Sequence, residues 1–261
     1  MGRFCSSAAK GCSVIVHAVN PPGYQHWAER VLPMIDNSIA AAIAEACSVA
    51  LLHDGKVTSH YEVIPRLHAQ KLLPMIKQLL EDAGTTLAAV DAIAFGRGPG
   101  AFTGVRIAIG VVQGLAFALE RPVLPVSNLA VLAQRALREH GAHQVAAAID
   151  ARMDEVYWGC YRETAGEMRL VGVEAVQPPQ ASVLPDDASG DWFGAGTGWG
   201  YGERIAVPLV DQDATMLPHA EDLLTLARFA FERGEAIPAD QAAPVYLRDK
   251  VAQTKAERGI I

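Results

Sequence analysis

Two glycine-rich loops are the segments whose residue types could bind a phosphate group. The first, GRGPG at positions 96–100, follows an apolar strand predicted over 90–95 and precedes a helix predicted over 103–119. Glycine has no Cβ and tolerates positive φ, so its backbone can approach a ligand closely. The amides that open the helix can bind an anion. The candidate positions for phosphate binding, or for turns with a purely structural role, are Gly96, Gly98, Gly100, Thr103, Asp150, Gly196 and Gly198.

The first loop departs from the known phosphate-binding motifs. No G-x-x-x-x-G-K-[ST] can be placed in it, so it is not a P-loop. The spacing Gly96-x-Gly98-x-x-Ala101 fits a loosened dinucleotide fingerprint, but that motif needs an acidic residue at the end of the next strand. Here that strand ends in Val-Ser-Asn at 126–128. A nicotinamide or flavin site is therefore not predicted, and a glycine turn that lets helix and strand pack closely is the alternative.

Catalytic and metal-binding patterns are weak throughout the sequence. The eight histidines give one close pair, His140 and His143, which falls in a glycine-containing turn. No G-x-S-x-G nucleophile motif exists, and the carboxylates are scattered without an acid–base pair. Asp150 and Arg152 either form a salt bridge or hold a phosphate or a partner. The sequence thus predicts no catalytic residue and no metal site.

Two apolar helices favour a role in protein assembly. The helix at 103–119 is apolar on nearly every face except at Arg106 and Gln113, and an amphipathic helix is predicted over 67–83, with Pro74 in its first half. Gly110 and Gly114 lie four residues apart on one face of the helix at 103–119. Small residues at this spacing let a second helix approach closely. The alternative is burial in the protein's own core. The predicted partner interface comprises Leu72, Leu73, Ile76, Leu79, Leu80, Arg106, Ile109, Gly110, Gln113 and Gly114.

The order of predicted elements indicates a duplicated α/β architecture. A hairpin over 47–64, a helix, and the strand–loop–helix unit around GRGPG form a first block, which continues to a helix capped by Ser127. Strands at 145–150, 155–162 and 168–176, the second glycine loop and a helix at 220–233 form a second block. We therefore predict an atypical N-terminal segment at 1–44 and two similar domains at 45–142 and 143–261.

Composition limits the functional classes. The net charge of −7 argues against a free-standing nucleic-acid binder, although a partner could supply the basic surface. Four cysteines, without C-x-x-C spacing, are expected to be reduced thiols, with Cys47 and Cys160 buried in strands. No stretch of roughly 18 uncharged apolar residues, as a membrane span requires, is recognised. We expect a cytoplasmic protein.

From Glu45 onward the sequence resembles the TsaB (YeaZ) family of tRNA threonylcarbamoyladenosine biosynthesis proteins. The resemblance covers about four fifths of the chain in the right order. It is carried by EACSVALLHDG at 45–55, HAQKLLPMI at 68–76, AFGRGPGAFTGVRIAIGVVQGLA at 94–116, AAIDARMDEVYW at 147–158, GTGW at 196–199 and PVYLR at 244–248.

This resemblance implies an actin/Hsp70-like (ASKHA) fold of two similar α/β domains. It also implies a non-catalytic subunit that scaffolds a TsaD-like catalytic subunit, joined by a TsaE-like ATPase. That assembly transfers threonylcarbamoyl to N6 of adenosine 37 in tRNAs reading ANN codons, and this chain would meet tRNA only within it. A homodimer is a further option. No cofactor is implied, although vestigial nucleotide binding is conceivable.

The resemblance also bears on catalysis. The catalytic relative carries an H-x-x-x-H metal pair, and Asn128 and Leu132 stand at the matching positions here. Leucine cannot bind a metal, so the resemblance implies a subunit without that centre. The alternative function is a stand-alone glycoprotease-like metalloprotease or ATPase on the same fold.

The N-terminal segment departs from the family pattern. Family members usually open with a strand ending I-D-T directly before the segment that begins at Glu45. Here the aligned residues are alanines at 40–42, and an Ile-Asp-Asn-Ser lies upstream at 35–38. Either an insertion separates the first strand from its hairpin, or the first 40 or so residues are not family sequence.

Overall fold

Two five-stranded mixed sheets form the framework of the protein in the computed structural model, which describes residues 14–16, 47–63, 68–187 and 189–248. The first sheet has the order β3-β2-β1-β4-β5. Its strands are β1 (Val14–Val16), β2 (Cys47–His53), β3 (Lys56–Glu62), β4 (Ala92–Gly96) and β5 (Val123–Val126).

The second sheet repeats this arrangement, with the order β8-β7-β6-β9-β10. Its strands are β6 (Gln144–Arg152), β7 (Glu155–Thr164), β8 (Glu167–Gln177), β9 (Phe193–Ala195) and β10 (Asp211–Asp213). In each sheet three antiparallel strands are followed by two parallel ones. This repeat is the duplication that the sequence predicted.

The first strand of the first sheet comes from the N-terminal segment. Val14–Val16 pairs antiparallel with β2 and parallel with β4, and so lies in the middle of the sheet. Residues 14–16 of the predicted N-terminal segment therefore belong to the first domain, and positions 17–46 separate this strand from its hairpin in the sequence. The Ile-Asp-Asn-Ser at 35–38 and the alanines at 40–42 lie outside the described residues.

Four α-helices cover the sheets among the described residues: α1 (His68–Asp82), α2 (Phe102–Leu119), α3 (Asn128–His140) and α4 (Ala220–Glu232). Ser127 caps α3 as predicted, because its Oγ accepts a hydrogen bond of 3.2 Å from the amide of Leu129. Short 3₁₀ helices lie at Leu87–Ala89, Pro179–Ala181, Thr197–Arg204 and Ala239–Gln241.

The helices do not follow the linear domain division. Helix α1 and helix α2 cover one face of the first sheet, but its other face is covered by α4, from the C-terminal part of the chain. Helix α3 precedes the predicted boundary at 142 and packs instead on the second sheet. The chain thus exchanges helices between its two halves, and a single boundary near residue 142 does not describe the packing.

Helix α2 illustrates how composition can mislead. Within the described residues it has the length and mean hydropathy of a membrane span, a match that the sequence analysis did not recognise. Eight of its residues are buried, and they pack in the same apolar cluster as β2, β4 and α1. Its apolar character is therefore that of a core helix.

A bidentate ion pair joins the two exchanged helices. Arg138 of α3 donates from Nε and Nη2 to the two carboxylate oxygens of Asp222 on α4, at 2.7 and 2.8 Å. The side chain of Asp222 is only 1% exposed, and burial raises its pKa while the guanidinium opposes that shift. A buried carboxylate depends on such a partner.

Replacing Arg138 should therefore destabilise the protein strongly. Arg138→Ala leaves the buried carboxylate of Asp222 unpaired, and we expect a loss of about 3 kcal/mol in the free energy of unfolding, measured by urea titration. Arg228→Ala is the matched control, because Arg228 is half exposed and its 4.0 Å pair with Glu232 lies on the surface of α4. The control should lose less than about 0.5 kcal/mol. Equal losses in the two variants would show that the pair does not hold the helices together.

Candidate functional site

A cleft of about 540 Å³ opens where the two halves of the chain meet. Its walls come from the first glycine loop, the start of α2, the end of β6, the loop that leads into α4, and the C-terminal segment. The lining residues that carry polar side chains are Ser48, Asn128, Asp150, Arg152, Tyr157, Thr197, His219, Tyr246 and Arg248. Six of the seven predicted phosphate or structural positions lie at or beside this cleft: Gly96, Gly98, Gly100 and Asp150 line it, and Gly196 and Gly198 adjoin Thr197.

The first glycine loop is held by Asn128 at the start of α3. Its amide donates to the carbonyl of Gly98 at 2.9 Å, and its side-chain Nδ2 donates to the carbonyl of Pro99 at 3.0 Å. A Cβ on Gly96 would overlap Oδ1 of Asn128, so no other residue fits there without displacing that side chain. Gly98 has φ +95°, which also requires glycine. The loop is therefore shaped by close packing.

The second glycine loop packs equally tightly. A Cβ on Gly196 would overlap the carbonyl oxygen of Ala148 on β6, and one on Gly198 would lie 2.7 Å from the Cβ of the same alanine. Between these glycines, Thr197 Oγ1 accepts a hydrogen bond of 3.2 Å from the amide of Asp150. This contact joins the loop to the end of β6, at the wall of the cleft.

The carboxylate of Asp150 is occupied by protein groups. It accepts hydrogen bonds from the amide of Arg152 at 2.9 Å and from the hydroxyl of Tyr201 at 3.1 Å, and Arg152 Nη1 lies 2.8 Å from its second oxygen. The salt-bridge interpretation of this pair is thus confirmed. Thr103 is absent from the cleft lining and provides no cap, since α2 begins after Ala101 without a side-chain hydrogen bond. Vestigial nucleotide binding stays a prediction.

A buried polar network below the loop was missed by the sequence analysis. Glu174 of β8 accepts hydrogen bonds from the hydroxyls of Ser127 and Tyr161, and Arg97 Nη2 lies 3.9 Å from its other oxygen. Burial, followed by the charge of Glu174, raises the pKa of Tyr161 well above its usual value. Ser127 thus caps α3 and also connects the two sheets. Only its capping role had a sequence signal.

The prediction for the partner interface is wrong for most of its residues. Six of the ten are buried by the chain itself, because the same face that looked available packs on the first sheet: Leu72, Ile76, Leu79, Leu80, Ile109 and Gly110. Leu73 is partly buried against this core. Gln113 is engaged as well, since its Nε2 donates to the carbonyl of Ala242 at 2.8 Å.

Three large side chains of α2 stay exposed, and with the partly buried Gln113 they form a stripe that we call the outer face: Phe102, Arg106, Gln113 and Phe117. These positions share one side of a helix with 3.6 residues per turn. The two phenylalanines are 55% and 59% exposed, and neither was singled out in the sequence. The guanidinium carbon of Arg106 lies 3.4 Å from the centre of the Phe102 ring. Gly114 beside the stripe is partly exposed.

The described residues offer little for bond-making chemistry. Within these parts of the chain, no three His, Cys, Asp or Glu side chains are grouped to hold a metal ion. Asn128 is committed to the glycine loop, and Leu132 is fully buried beneath the second sheet. Burial raises the pKa of Cys47 to about 12 and that of Cys160 to about 11, so neither thiol is a nucleophile at neutral pH. Both lie in strands, as predicted.

Comparisons with known proteins identify the family. Residues 55–191 match the family model described as TsaD, tRNA N6-adenosine threonylcarbamoyltransferase. The chain is 46% identical to the tRNA threonylcarbamoyladenosine biosynthesis protein TsaB of Escherichia coli K12, over 81% of this chain and 94% of that protein. It is 42% identical to TsaB of Haemophilus influenzae, over 81% of this chain and 92% of that protein. The chain belongs to the TsaB family.

A solved structure supports the same assignment. The structure of YeaZ from Pseudomonas aeruginosa matches with a TM-score of 0.76 and 73% sequence identity, over 78% of this chain and 95% of that chain. The predicted α/β actin-like fold and the TsaB resemblance are both confirmed. A TsaD enzyme, from Ralstonia pickettii, is also similar, at 29% identity over 51% of this chain and 35% of the enzyme.

The glycine loop gives a direct test of the close packing in this TsaB-family cleft. Gly96→Ala places a methyl group against the side chain of Asn128, and we expect a loss of about 1–3 kcal/mol in the free energy of unfolding. Gly200→Ala is the control, because no atom lies within 4 Å of the point where its Cβ would be, and it should change stability by less than about 0.5 kcal/mol. Thermal or urea unfolding measures both. A neutral Gly96→Ala variant would contradict the packing described here.

The environment of His219 at the cleft leads us to expect a lower free energy of unfolding in mild acid. His219 caps α4 by accepting a hydrogen bond of 3.2 Å from the amide of Glu221, and burial, aided by Arg135 and Arg138, lowers its pKa below 6.5. The unfolded chain therefore binds a proton before the folded one does. The contribution of His219 is complete above pH 6.5 and is lost as the pH falls below it.

The variant His219→Asn separates this effect from other titrations. Asparagine keeps a capping oxygen but does not ionise. Between pH 7.5 and pH 5.5, the free energy of unfolding should therefore fall more steeply in the wild type than in the variant. Parallel curves from urea titrations would show that His219 does not titrate differently on folding.

Proposed function

We propose that this protein is a non-catalytic subunit in tRNA threonylcarbamoyladenosine biosynthesis that binds a TsaD-like catalytic subunit. The outer face of α2 carries the proposal, because it is an exposed aromatic and cationic stripe on an otherwise buried helix. Aromatic residues and arginine are enriched at the centres of protein interfaces. The assembly would act on N6 of adenosine 37 in tRNAs that read ANN codons, in the cytoplasm.

Similarity to the catalytic relative supports this choice of partner. The region that matches the TsaD family model includes both α1 and α2. A TsaD-like subunit would therefore bring an equivalent helix pair, and two similar faces can pair about an approximate two-fold axis. The same geometry allows a homodimer as a second assembly. We further propose that a TsaE-like ATPase joins the complex.

The chemistry of the described residues supports a non-catalytic role over the alternative metalloprotease or ATPase. Asn128 and Leu132, which occupy the positions of the expected metal pair, are a loop-holding amide and a core side chain. The net charge of −7 supports contact with tRNA through the complex and not by the isolated chain. Reconstitution with a TsaD-like and a TsaE-like protein, with and without this chain, tests the role. Equal formation of the modified nucleoside in both reactions would overturn it.

The interface itself can be tested with one charged substitution. Phe117→Asp places a carboxylate on the outer face of α2, at a position 59% exposed in the isolated chain, and the melting temperature of the variant shows whether its fold persists. We expect at least a tenfold weaker affinity for the TsaD-like subunit, because desolvating a carboxylate in an apolar contact is unfavourable. Calorimetric titration or light scattering of the mixture measures this.

The matched control lies on the other half of the molecule. Val173 on β8 of the second sheet is 77% exposed, so Val173→Asp adds the same charge on a different element. It should leave the affinity within about twofold. If both variants bind alike, the outer face of α2 is not the contact surface, whereas reconstitution separately decides whether the chain is required at all.

A further inference from the structure

The C-terminal segment 237–248, which we call the strap, crosses from the first half of the molecule to the second. It begins beside β5, where Ile237 and Val123 exchange two backbone hydrogen bonds of 2.8 and 2.9 Å. It then passes over α2, where Ala242 accepts the hydrogen bond from Gln113. Its last described residue, Arg248, pairs with Glu155 at the start of β7.

The far end of the strap forms one wall of the cleft. Val245, Tyr246 and Arg248 all line it. The amide of Val245 donates to the carbonyl of Arg97 at 2.9 Å, which fixes the strap to the first glycine loop. Arg248 Nη2 donates to the carbonyl of Arg152 at 3.3 Å. The strap therefore bridges the glycine loop of the first half and the β6–β7 turn of the second.

The β6–β7 turn has a strained backbone, which contacts from elsewhere in the chain can stabilise. Arg152, Met153 and Asp154 have φ values of +61°, +57° and +61°, so three successive residues with side chains occupy the left-handed region. Such residues cost free energy and persist when surrounding contacts fix them. Arg248 supplies part of that support, because it reaches the carbonyl of the first and the Sδ of the second, the latter at 3.7 Å.

The strap is held at few points. Among its twelve residues, only Ala242 is buried, and Tyr246 is 50% exposed. Apart from the three-residue 3₁₀ helix Ala239–Gln241, it has no regular secondary structure. Segments with few buried contacts and few backbone hydrogen bonds open at a small fraction of the global unfolding free energy. The strap can therefore detach while both sheets stay folded.

The guanidinium of Arg106 links the strap to the outer face of α2. This group lies 3.4 Å from the ring centre of Phe102 and 5.3 Å from that of Tyr246, and the two rings are 6.1 Å apart. The guanidinium therefore lies over the Phe102 ring and beside the Tyr246 ring, within the distance at which a cation–π interaction with each ring is favourable. A group that takes Arg106 away from Tyr246 thus weakens the strap next to its two contacts at the cleft.

We propose that the strap is a releasable clasp: the contact between Arg106 and Tyr246 holds it closed over the cleft, and loss of that contact frees the glycine loop and the β6–β7 turn together. If the proposed function holds, a TsaD-like subunit seated on the outer face would compete for Arg106 and so open the cleft. The clasp itself is a property of the isolated chain.

Hydrogen exchange of the isolated protein, followed by mass spectrometry, tests the clasp. Tyr246→Ala should raise exchange rates at least tenfold in three segments at once: 243–248, 96–101 and 152–155. The melting temperature should fall by only a few degrees, because the buried core is untouched. Val183→Ala is the control, since Val183 is 67% exposed and is not part of the strap. It should leave all three segments unchanged.

A second variant distinguishes loss of the contact between Arg106 and Tyr246 from a general destabilisation of the fold. Arg106→Lys keeps the charge but removes the planar group that stacks on the rings, and it should reproduce the same three-segment pattern in weaker form. If either variant changes the strap but leaves segments 96–101 and 152–155 as in the wild type, the clasp is wrong.

Addition of the TsaD-like subunit completes the experiment. In a complex, exchange should slow along the outer face of α2 and accelerate in 243–248. A complex that forms while the strap stays as protected as before overturns release by the partner. Failure of the proposed function appears differently, as the absence of a complex, and the two variants of the isolated chain then still decide whether the clasp exists.

Discussion

The structure depends on covering helix α2, which has one charged side chain among 18 residues. An apolar helix of this length is unstable in water unless most of its surface is removed from solvent. The first sheet and helix α1 provide most of that cover, and the strap adds a contact at Gln113. Among the described residues, the large side chains of α2 that stay exposed are Phe102, Arg106 and Phe117. The way in which α2 is covered therefore determines the position of the proposed interface, the path of the strap and one wall of the cleft.

The exchange of α3 and α4 between the sheets gives the cleft its geometry. Each helix packs on the sheet of the other half, and the Arg138–Asp222 pair holds the two together. Helix α3 also begins at the glycine loop, where Ser127 and Asn128 tie it to both sheets. The loop that looks like a phosphate site is consequently a structural junction. Gly96 is required because Oδ1 of Asn128 lies where its Cβ would be, and Gly98 is required because its φ is positive.

Most charged groups at the cleft are paired with other groups of the protein. Asp150 is bonded to Arg152 and Tyr201, and Arg248 is paired with Glu155. Such pairing fixes the charged groups of the cleft in place. It favours a conformational role, because contacts made between the two halves change together when one of them is broken.

The sequence alone determined the family and most of the helices and longer strands. Period-2 and period-3.6 patterns gave the strands and helices, Ser127 was predicted as a cap, and the GRGPGAFTGVRIAIG string marked the TsaB resemblance. These features are local, so neighbouring residues suffice to specify them. Only the tertiary structure decided which apolar surface is covered. Ile109 and Leu79 are buried by strands distant in sequence, β1 comes from Val14–Val16 across a long insertion, and α4 returns to the first sheet. Those contacts join segments far apart in the chain. An amphipathic pattern predicts that one face of a helix is buried, but it does not identify the element that buries it.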